Sequence, residues 1–428
     1  MRLKVNIDGL SLFKSSRLNL WPITVQINDI KTPFPIALFC GRGKPVLSEY
    51  VQKLCEEIEE LKSNVFTYKN FRFLLQQIFF VCDAPARAFI QSIKGHSGYY
   101  GCGYCRVKGI YIDDRVVFLG TDFPLRTDND YSTFSENNQI SISPLSSICN
   151  IKLFHEFPID YMHAVCLGVT RKLFTYYFTC VKGERFSCRL STTQMSQLSD
   201  LIWSYRTYVP SDFQRKPRKL DDLIHFKATE YRLFVIYLGP FFFRKFFKAE
   251  YYNHFCLLHF AMYVFSSKRH ESLYAHAHRA VEVFVQQIEA LFSKKSMVYN
   301  VHILVHLHDF VKMYGVLDRF SSFPFENYLS KLKKRIKVNN MIFDQSVNQL
   351  LSIRSMYANM SINPLIISTK QPDNCVMLEN YEIIIVDAVN KSETSVEHFV
   401  SGNVLEFVRP LYDYPYSSQV LHIGNYTS

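Results

Sequence analysis

Apolar and polar residues alternate along Arg2–Ile7, with Leu3, Val5 and Ile7 set against Arg2, Lys4 and Asn6. That period of two predicts a half-buried strand, and Asp8-Gly9 closes it with a turn signal. Trp21–Ile27 and Pro35–Cys40 are two more β-rich runs, separated by Asn28, Asp29 and Lys31, so the three strands predict a meander. From Ser48 to Lys62 the period becomes helical. Val51, Leu54, Cys55, Ile58 and Leu61 form one apolar face, with Ser48 as the candidate N-cap. Phe71–Cys82 is apolar almost throughout, which suits a strand buried on both faces in mid-sheet, and it too ends in an aspartate, Asp83. Ala84-Pro85 then puts a proline where a first helical turn accepts one, predicting a short helix over Ala86–Ile93 that stops near Gly95.

Between Asp113 and Ser147 the chain is polar and irregular, and a long surface connection is expected. Apolar residues at three- and four-residue spacing then predict helices over Ile159–Val181, Thr192–Val209, Glu230–Lys248, Tyr252–Ser266, Glu271–Leu291, Met297–Met313 and Pro324–Val338. The tail returns to β character in Cys375–Leu378, Glu382–Val386, Val404–Val408 and Gln419–Ile423. The fold class expected is α/β, a mixed sheet interrupted by a large all-α insertion and followed by a small C-terminal β unit. Residues 1–112 would hold the N-terminal part of the core and 113–295 the helical insertion. Residues 296–358 would complete the core and 359–428 would form the β unit.

Hydrophobic residues at 48% and charged residues at 20% allow a large core in a chain of 428 residues, and exclude a disordered one. The formal charge of +11 favours a polyanionic partner, nucleic acid or an anionic membrane surface. The longest apolar stretches, Tyr231–Phe243 and His254–Phe265, fall short of the roughly 18 to 20 residues a membrane span needs. Asp8 stands where a signal peptide would carry its apolar region. Eleven cysteines without framework spacing read mostly as buried thiols, at positions such as Cys40, Cys55 and Cys180, in a reducing compartment.

Asp8 and Asp83 both end strands of one sheet, where an open α/β site usually forms. Cleavage of a phosphodiester by two metals needs carboxylates from separate segments to converge on ions roughly 3.5 to 4 Å apart. Glu326, in Phe323-Pro324-Phe325-Glu326, begins a helix that could supply the third. Lys331, Lys333, Lys334, Arg335 and Lys337 extend from it as a basic run able to hold DNA phosphates. Taken singly, an aspartate at a strand end is more often a turn residue, Glu326 could be a first-turn acid, and a basic run is usually a solvated face. Their order around a helical insertion is what points to a site.

Cys102 and Cys105 form a C-x-x-C, and His302 and His306 stand at i and i+4 on one predicted helix face. Each pair has a bland alternative, but together they offer the four N and S ligands of a structural zinc site. It would tie the returning helix to the segment after Asp83. Asp160 and His163, one turn apart, read better as a helix cap and a partly buried histidine than as metal ligands. P-loop, dinucleotide-binding and nucleophile-elbow motifs are absent.

At these residues the chain resembles the CACTA-type transposases (the CACTA/Mirage/Chapaev group), eukaryotic cut-and-paste enzymes with an Asp-Asp-Glu triad. Val5-Asn6-Ile7-Asp8-Gly9-Leu10-Ser11-Leu12-Phe13-Lys14 with Trp21-Pro22 is similar to the family's first-aspartate block, and Cys82-Asp83-Ala84-Pro85-Ala86-Arg87 to its second. Gly95–Cys105 resembles the glycine-rich C-x-x-C segment that follows, and the Asp160–His163, Asn300–His306 and Glu326 segments match in order. The resemblance implies a ribonuclease-H-like core, Mg2+ or Mn2+ on Asp8, Asp83 and Glu326, and Zn2+ on Cys102, Cys105, His302 and His306. It also implies double-stranded DNA as partner, a homo-oligomer and a nuclear location, without nucleotide cofactor or membrane. Members of that family generally carry preceding segments, including candidate DNA-binding regions for the element ends. Two other readings stay open: a catalytically idle, domesticated copy that binds DNA or protein, and a general nuclease without strand transfer.

Overall fold

In the computed structural model, which describes residues 1–11, 18–28, 30, 32–133, 137–181, 186–338, 375–377, 383–391, 398–421 and 424–427, the first alternating run is strand β1, Arg2–Ile7. It pairs antiparallel with β3, Leu18–Ile27, from Leu3↔Ile27 to Ile7↔Ile23, and parallel with β7, Gln77–Phe80. After two residues the chain rejoins β3 as β2, Leu10–Ser11, with Leu10↔Leu20 and Ser11↔Asn19. The register is unbroken, so Asp8 and Gly9 stand opposite Pro22 and Trp21. Pro22 has no N–H for a ladder bond, and a Cβ on Gly9 would come within 2.5 Å of Trp21 Cζ2. Trp21 is itself fixed, with Phe89 at 5.2 Å between ring centroids and the Tyr50 hydroxyl donating to its carbonyl at 3.2 Å. The interruption that releases Asp8 from the sheet is therefore written in four residues, Asp8-Gly9 against Trp21-Pro22.

Strand β4, Phe34–Arg42, covers the other edge of β3, and helix α1, Leu47–Ser63, buries Tyr50, Val51, Leu54, Cys55 and Ile58. Its N-cap position is Val46, without a side-chain cap, so Ser48 lies inside the first turn instead of capping it.

The expected buried strand Phe71–Cys82 is divided. Lys69 and Asn70 adopt positive φ and turn a hairpin of β5, Phe66–Tyr68, and β6, Phe71–Phe73, most of whose residues are exposed; the buried strand begins only at Gln77. It is not a mid-sheet strand among the described ones. β7 ends the order β2-β3-β1-β7, and the Phe80 amide donates outward to the Glu156 carbonyl at 2.7 Å. Buried Asn6 locks β1 to the following turn by donating to the Val81 carbonyl at 2.7 Å.

The chain divides into two compact units, Met1–Val165 with Ile288–Tyr357, and Cys166–Gln287 with Ala358–Ser428. Residues 113–165 thus belong with the N-terminal sheet and the C-terminal strands with the helical block, a partition that differs from the expected boundaries. The segment from Asp113 to Ser147 is not a surface connection throughout: Val117, Phe118, Tyr131 and Leu145 are buried. Its polar residues serve the interior. Asn138 donates to the Tyr100 carbonyl, Gln139 to that of Tyr131 and Ser143 to that of Ile90.

In the second unit, helices Arg171–Phe178, Thr192–Ser204 and Ala249–Phe265 match the predicted periodicity, with an aromatic core at Phe174, Phe234, Phe243 and Phe255. The single helix expected over Glu230–Lys248 is broken into Ala228–Leu233, a π-helical turn Phe234–Leu238, and Gly239–Phe243. Strands Cys375–Met377, Ile383–Lys391, His398–Pro410 and Gly424–Thr427 form an antiparallel sheet in chain order. Gln419–Ile423, expected as a strand, is instead 3-10 over Ser418–Leu421, with 422 and 423 outside the described residues. Leu411 and Tyr412 pack with Cys256, which is why these strands group with the helices. Cys180, expected to be buried, is exposed because it follows the helix end at Phe178. Among the described residues no helix is long and apolar enough to cross a membrane.

Candidate active site and metal centre

Each acidic residue of the predicted triad is set by its neighbours in sequence. Asp8 is released at the break between β1 and β2. Asp83 caps α2, Ala84–Ile90, its Oδ1 accepting the Ala86 amide at 2.7 Å, while Pro85 occupies the first turn. Glu326 lies in the first turn of the helix Phe323–Val338. Phe325, Leu329 and Leu332, one stripe at four- and three-residue spacing, are buried, and the last two pack on Leu20, Leu38 and Cys40 of β3 and β4. That contact brings Glu326 to the end of the sheet where Asp8 emerges.

The three carboxylates are brought together. Asp8 and Glu326 are within hydrogen-bonding reach, and the Asp8 carboxyl is pushed up to about 8, by burial first, then by the charges of Asp83 and Glu326. A carboxyl raised by its own burial and by two neighbouring carboxylate charges marks a cluster of acids with no cation of comparable weight beside it except His163.

A fourth group belongs to this cluster and was not assigned to it from the sequence. His163 Nε2 lies 3.9 Å from Glu326 Oε1, and its Nδ1 lies 2.5 Å from Asp160 Oδ2. Burial works against the charged ring, but the Asp160 hydrogen bond and the charges of Asp160, Glu326 and Asp83 outweigh it, raising it to about 9. Asp160 is buried and caps as expected, accepting the Met162 and His163 amides at 3.2 and 3.1 Å. It also accepts the Ser322 amide at 2.7 Å, which ties the Glu326 helix to the His163 turn. The spacing of Asp160 and His163 was visible; their partner more than 150 positions away was not.

Of the basic run, Lys331 and Lys334 are exposed, and the Lys333 ammonium donates to the Ser11 carbonyl. Lys333 thus holds its helix to β2. The side chains of Arg335 and Lys337 lie outside the described ones.

The predicted sulfur and nitrogen ligands also meet. Ligand atoms of Cys102, Cys105, His302 and His306 all lie within 4.8 Å of one another, and all four residues are buried. The Cys102 and Cys105 sulfurs are 3.6 Å apart, Cys105 Sγ is 3.3 Å from His302 Nε2, and Cys102 Sγ is 3.7 Å from His306 Nε2. A tetrahedral S2N2 metal site has edges of roughly 3.3 to 3.8 Å, so the set can hold an ion. Burial opposes ionisation of Cys102, but the Cys105 thiol and the two imidazoles overcome it and hold Cys102 well below the usual thiol range. The histidines do not share a regular α-helical face: Ile303–His306 is 3-10, between helical turns Tyr299–His302 and Leu307–Tyr314. Phe118 stacks on His302 at 5.4 Å. On the cysteine side, Gly101 admits no side chain, because a Cβ there would lie 2.7 Å from the Gly95 carbonyl oxygen. Buried Arg87 joins the two sites, donating from α2 to the hydroxyls of Tyr104, between the cysteines, and Tyr299, at the start of the histidine segment.

The first unit therefore combines a mixed sheet, a carboxylate cluster with one histidine, and a Cys2His2 group. A protein-family profile described as a domain of unknown function (DUF8592) matches residues 334–427, beyond Glu326. No curated protein matches the chain.

Proposed function

We propose that this chain carries the catalytic core of a DNA transposase of the Asp-Asp-Glu type, built on a ribonuclease-H-like sheet. The convergence of Asp8, Asp83 and Glu326, with the Asp8 carboxyl raised by burial and then by the charges of the other two, is the observation that carries the reading. Bound there, a pair of Mg2+ or Mn2+ ions would activate the attacking oxygen and stabilise the leaving one in hydrolysis of a DNA strand and its transfer to a target. Asp8, Asp83 and Glu326 would hold the ions, for which the mutual repulsion of their charges prepares them. Asp160 orients His163, whose ring is pushed up to about 9 against the effect of burial by Asp160, Glu326 and Asp83, and which would offer a positive charge beside Glu326 to a phosphate oxygen. Exposed Lys331 and Lys334 would hold the duplex backbone. Zinc is the ion we assign to Cys102, Cys105, His302 and His306, as a structural tie with no open position for chemistry. A homo-oligomer acting in the nucleus belongs to the same reading.

The test is cleavage of end-labelled duplex DNA carrying candidate element ends, with Mg2+ or Mn2+. The expected result is metal-dependent nicking that disappears in Asp83→Asn while the circular dichroism spectrum is unchanged. Equal nicking in the variant would overturn the proposal. Duplex binding without nicking in the wild type would favour the idle, DNA-holding form.

A further inference from the structure

The hairpin between α1 and β7 presents an aromatic face that no part of the reading above uses. Its register pairs Phe66 with Phe73, Thr67 with Arg72 and Tyr68 with Phe71. Because side chains alternate along each strand and paired residues share a face, Phe66, Tyr68, Phe71 and Phe73 all stand on one side of the ribbon. Thr67 and Arg72 stand on the other. Phe71 is 69% exposed, Tyr68 56% and Phe66 50%, and Leu74 just beyond is 54% exposed. A row of open rings on a two-stranded ribbon is costly in water and does nothing for the core.

The charge around these rings has one sign. No Asp or Glu occurs between Glu60 and Asp83, whereas Lys62, Lys69 and Arg72 fall within that span. Lys69 sits at the turn with its ammonium 5.5 Å from the Tyr68 ring centroid, and Lys62 is engaged by the Cys149 carbonyl at the helix end. Exposed rings with cations and no anion match a polyanion that carries flat apolar groups of its own, which is an unpaired nucleic-acid strand. In a duplex the bases are stacked on one another and their faces are closed to such a platform.

We infer that the β5–β6 hairpin is a binding site for single-stranded nucleic acid, with bases stacking on Phe66, Tyr68 and Phe71 while Lys69, at the turn beside the Tyr68 ring, meets the phosphates. It projects from the end of β7 opposite to Asp83, so it is a second site, separate from the carboxylates, and it does not depend on their binding metal. In a strand-cutting enzyme it would hold a strand freed from its complement.

Fluorescence anisotropy of the full chain with a labelled mixed-sequence single strand, without added Mg2+ or Mn2+, tests this. Alanine at Phe66, Tyr68 and Phe71 together should weaken single-strand binding by about 10-fold or more and leave duplex binding unchanged, since each stacked base is lost independently of the duplex surface. A 2-aminopurine base in the strand should be quenched by the wild type and not by this variant. Phe71→Trp, at a position that touches no core, should show tryptophan quenching on addition of the strand. Unchanged affinity with unchanged 2-aminopurine emission would overturn the inference. So would a change of oligomeric state by light scattering in the triple variant, which would mark the face as a contact between copies. Binding to anionic vesicles in place of the strand would mark a lipid surface and overturn it too. Asp83→Asn should retain strand binding, so loss of cleavage and loss of this site are separable.

Discussion

Replacing Cys102 and Cys105 together by serine removes both sulfurs of the proposed zinc site and with them the proposed tie between two distant parts of the first unit. The tie from Cys105 to His302 closes 197 positions of chain. In the chain-entropy account, a cross-link spanning a loop of that length is worth about 5 kcal/mol through the unfolded state. For a unit of this size each kcal/mol moves the melting temperature by about 2 to 4 °C, so the double variant should melt roughly 10 to 20 °C below the zinc-loaded wild type. Differential scanning calorimetry on the full chain reads this directly. A strong chelator should lower the wild type to the level of the variant, and the variant should not respond to chelator or to added zinc. Elemental analysis should give one zinc per wild-type chain. A double variant that melts within about 2 °C of the wild type, both of them free of metal, would refute the argument that these four residues form a metal tie.

Other perturbations follow from the carboxylate cluster. Asp8, raised from 3.8 to about 8, costs the metal-free fold stability as pH climbs through that range, because only the unfolded chain ionises freely there. Asp8→Asn should therefore raise the metal-free melting temperature at pH 7.5 and abolish the stabilisation by Mg2+; a lower melting temperature with Mg2+ response intact would contradict this. His163, raised from 6.5 to about 9, contributes stability that is complete below pH 6.5 and lost as pH rises through 9. A pH series of urea unfolding should show that decline in the wild type and a flatter curve in His163→Gln. Gly9→Ala would place a methyl 2.5 Å from Trp21 Cζ2, and should destabilise by about 1 to 3 kcal/mol in denaturant unfolding. Full stability in that variant would show that the Trp21 indole is not fixed.

The site was more legible in the sequence than the fold around it. Asp8 and Asp83 were found because strand endings carry short-range signals, an alternating run before Asp8-Gly9 and a proline just after Asp83. The cysteines and histidines were found because metal-ligand chemistry restricts residue type and spacing. What failed was long apolar runs. Phe71–Cys82 reads as one strand because periodicity cannot tell an exposed aromatic hairpin from a buried strand, and the turn at Lys69-Asn70 contains no glycine to announce it. Asp113–Ser147 reads as surface because its polar side chains are counted as solvated, whereas Gln139 and Ser143 bond buried carbonyls and Asn138 a part-buried one. His163 escaped because its role depends on Glu326, which reaches it only through helix packing.

The claim that Asp8, Asp83 and Glu326 form one divalent-cation site is tested most directly by anomalous diffraction from crystals soaked in Mn2+. Manganese peaks bordered by these three carboxylates, and lost in Asp8→Asn crystals, are the predicted result. Well-ordered carboxylates with no manganese between them, while ions bind elsewhere on the chain, would contradict the account.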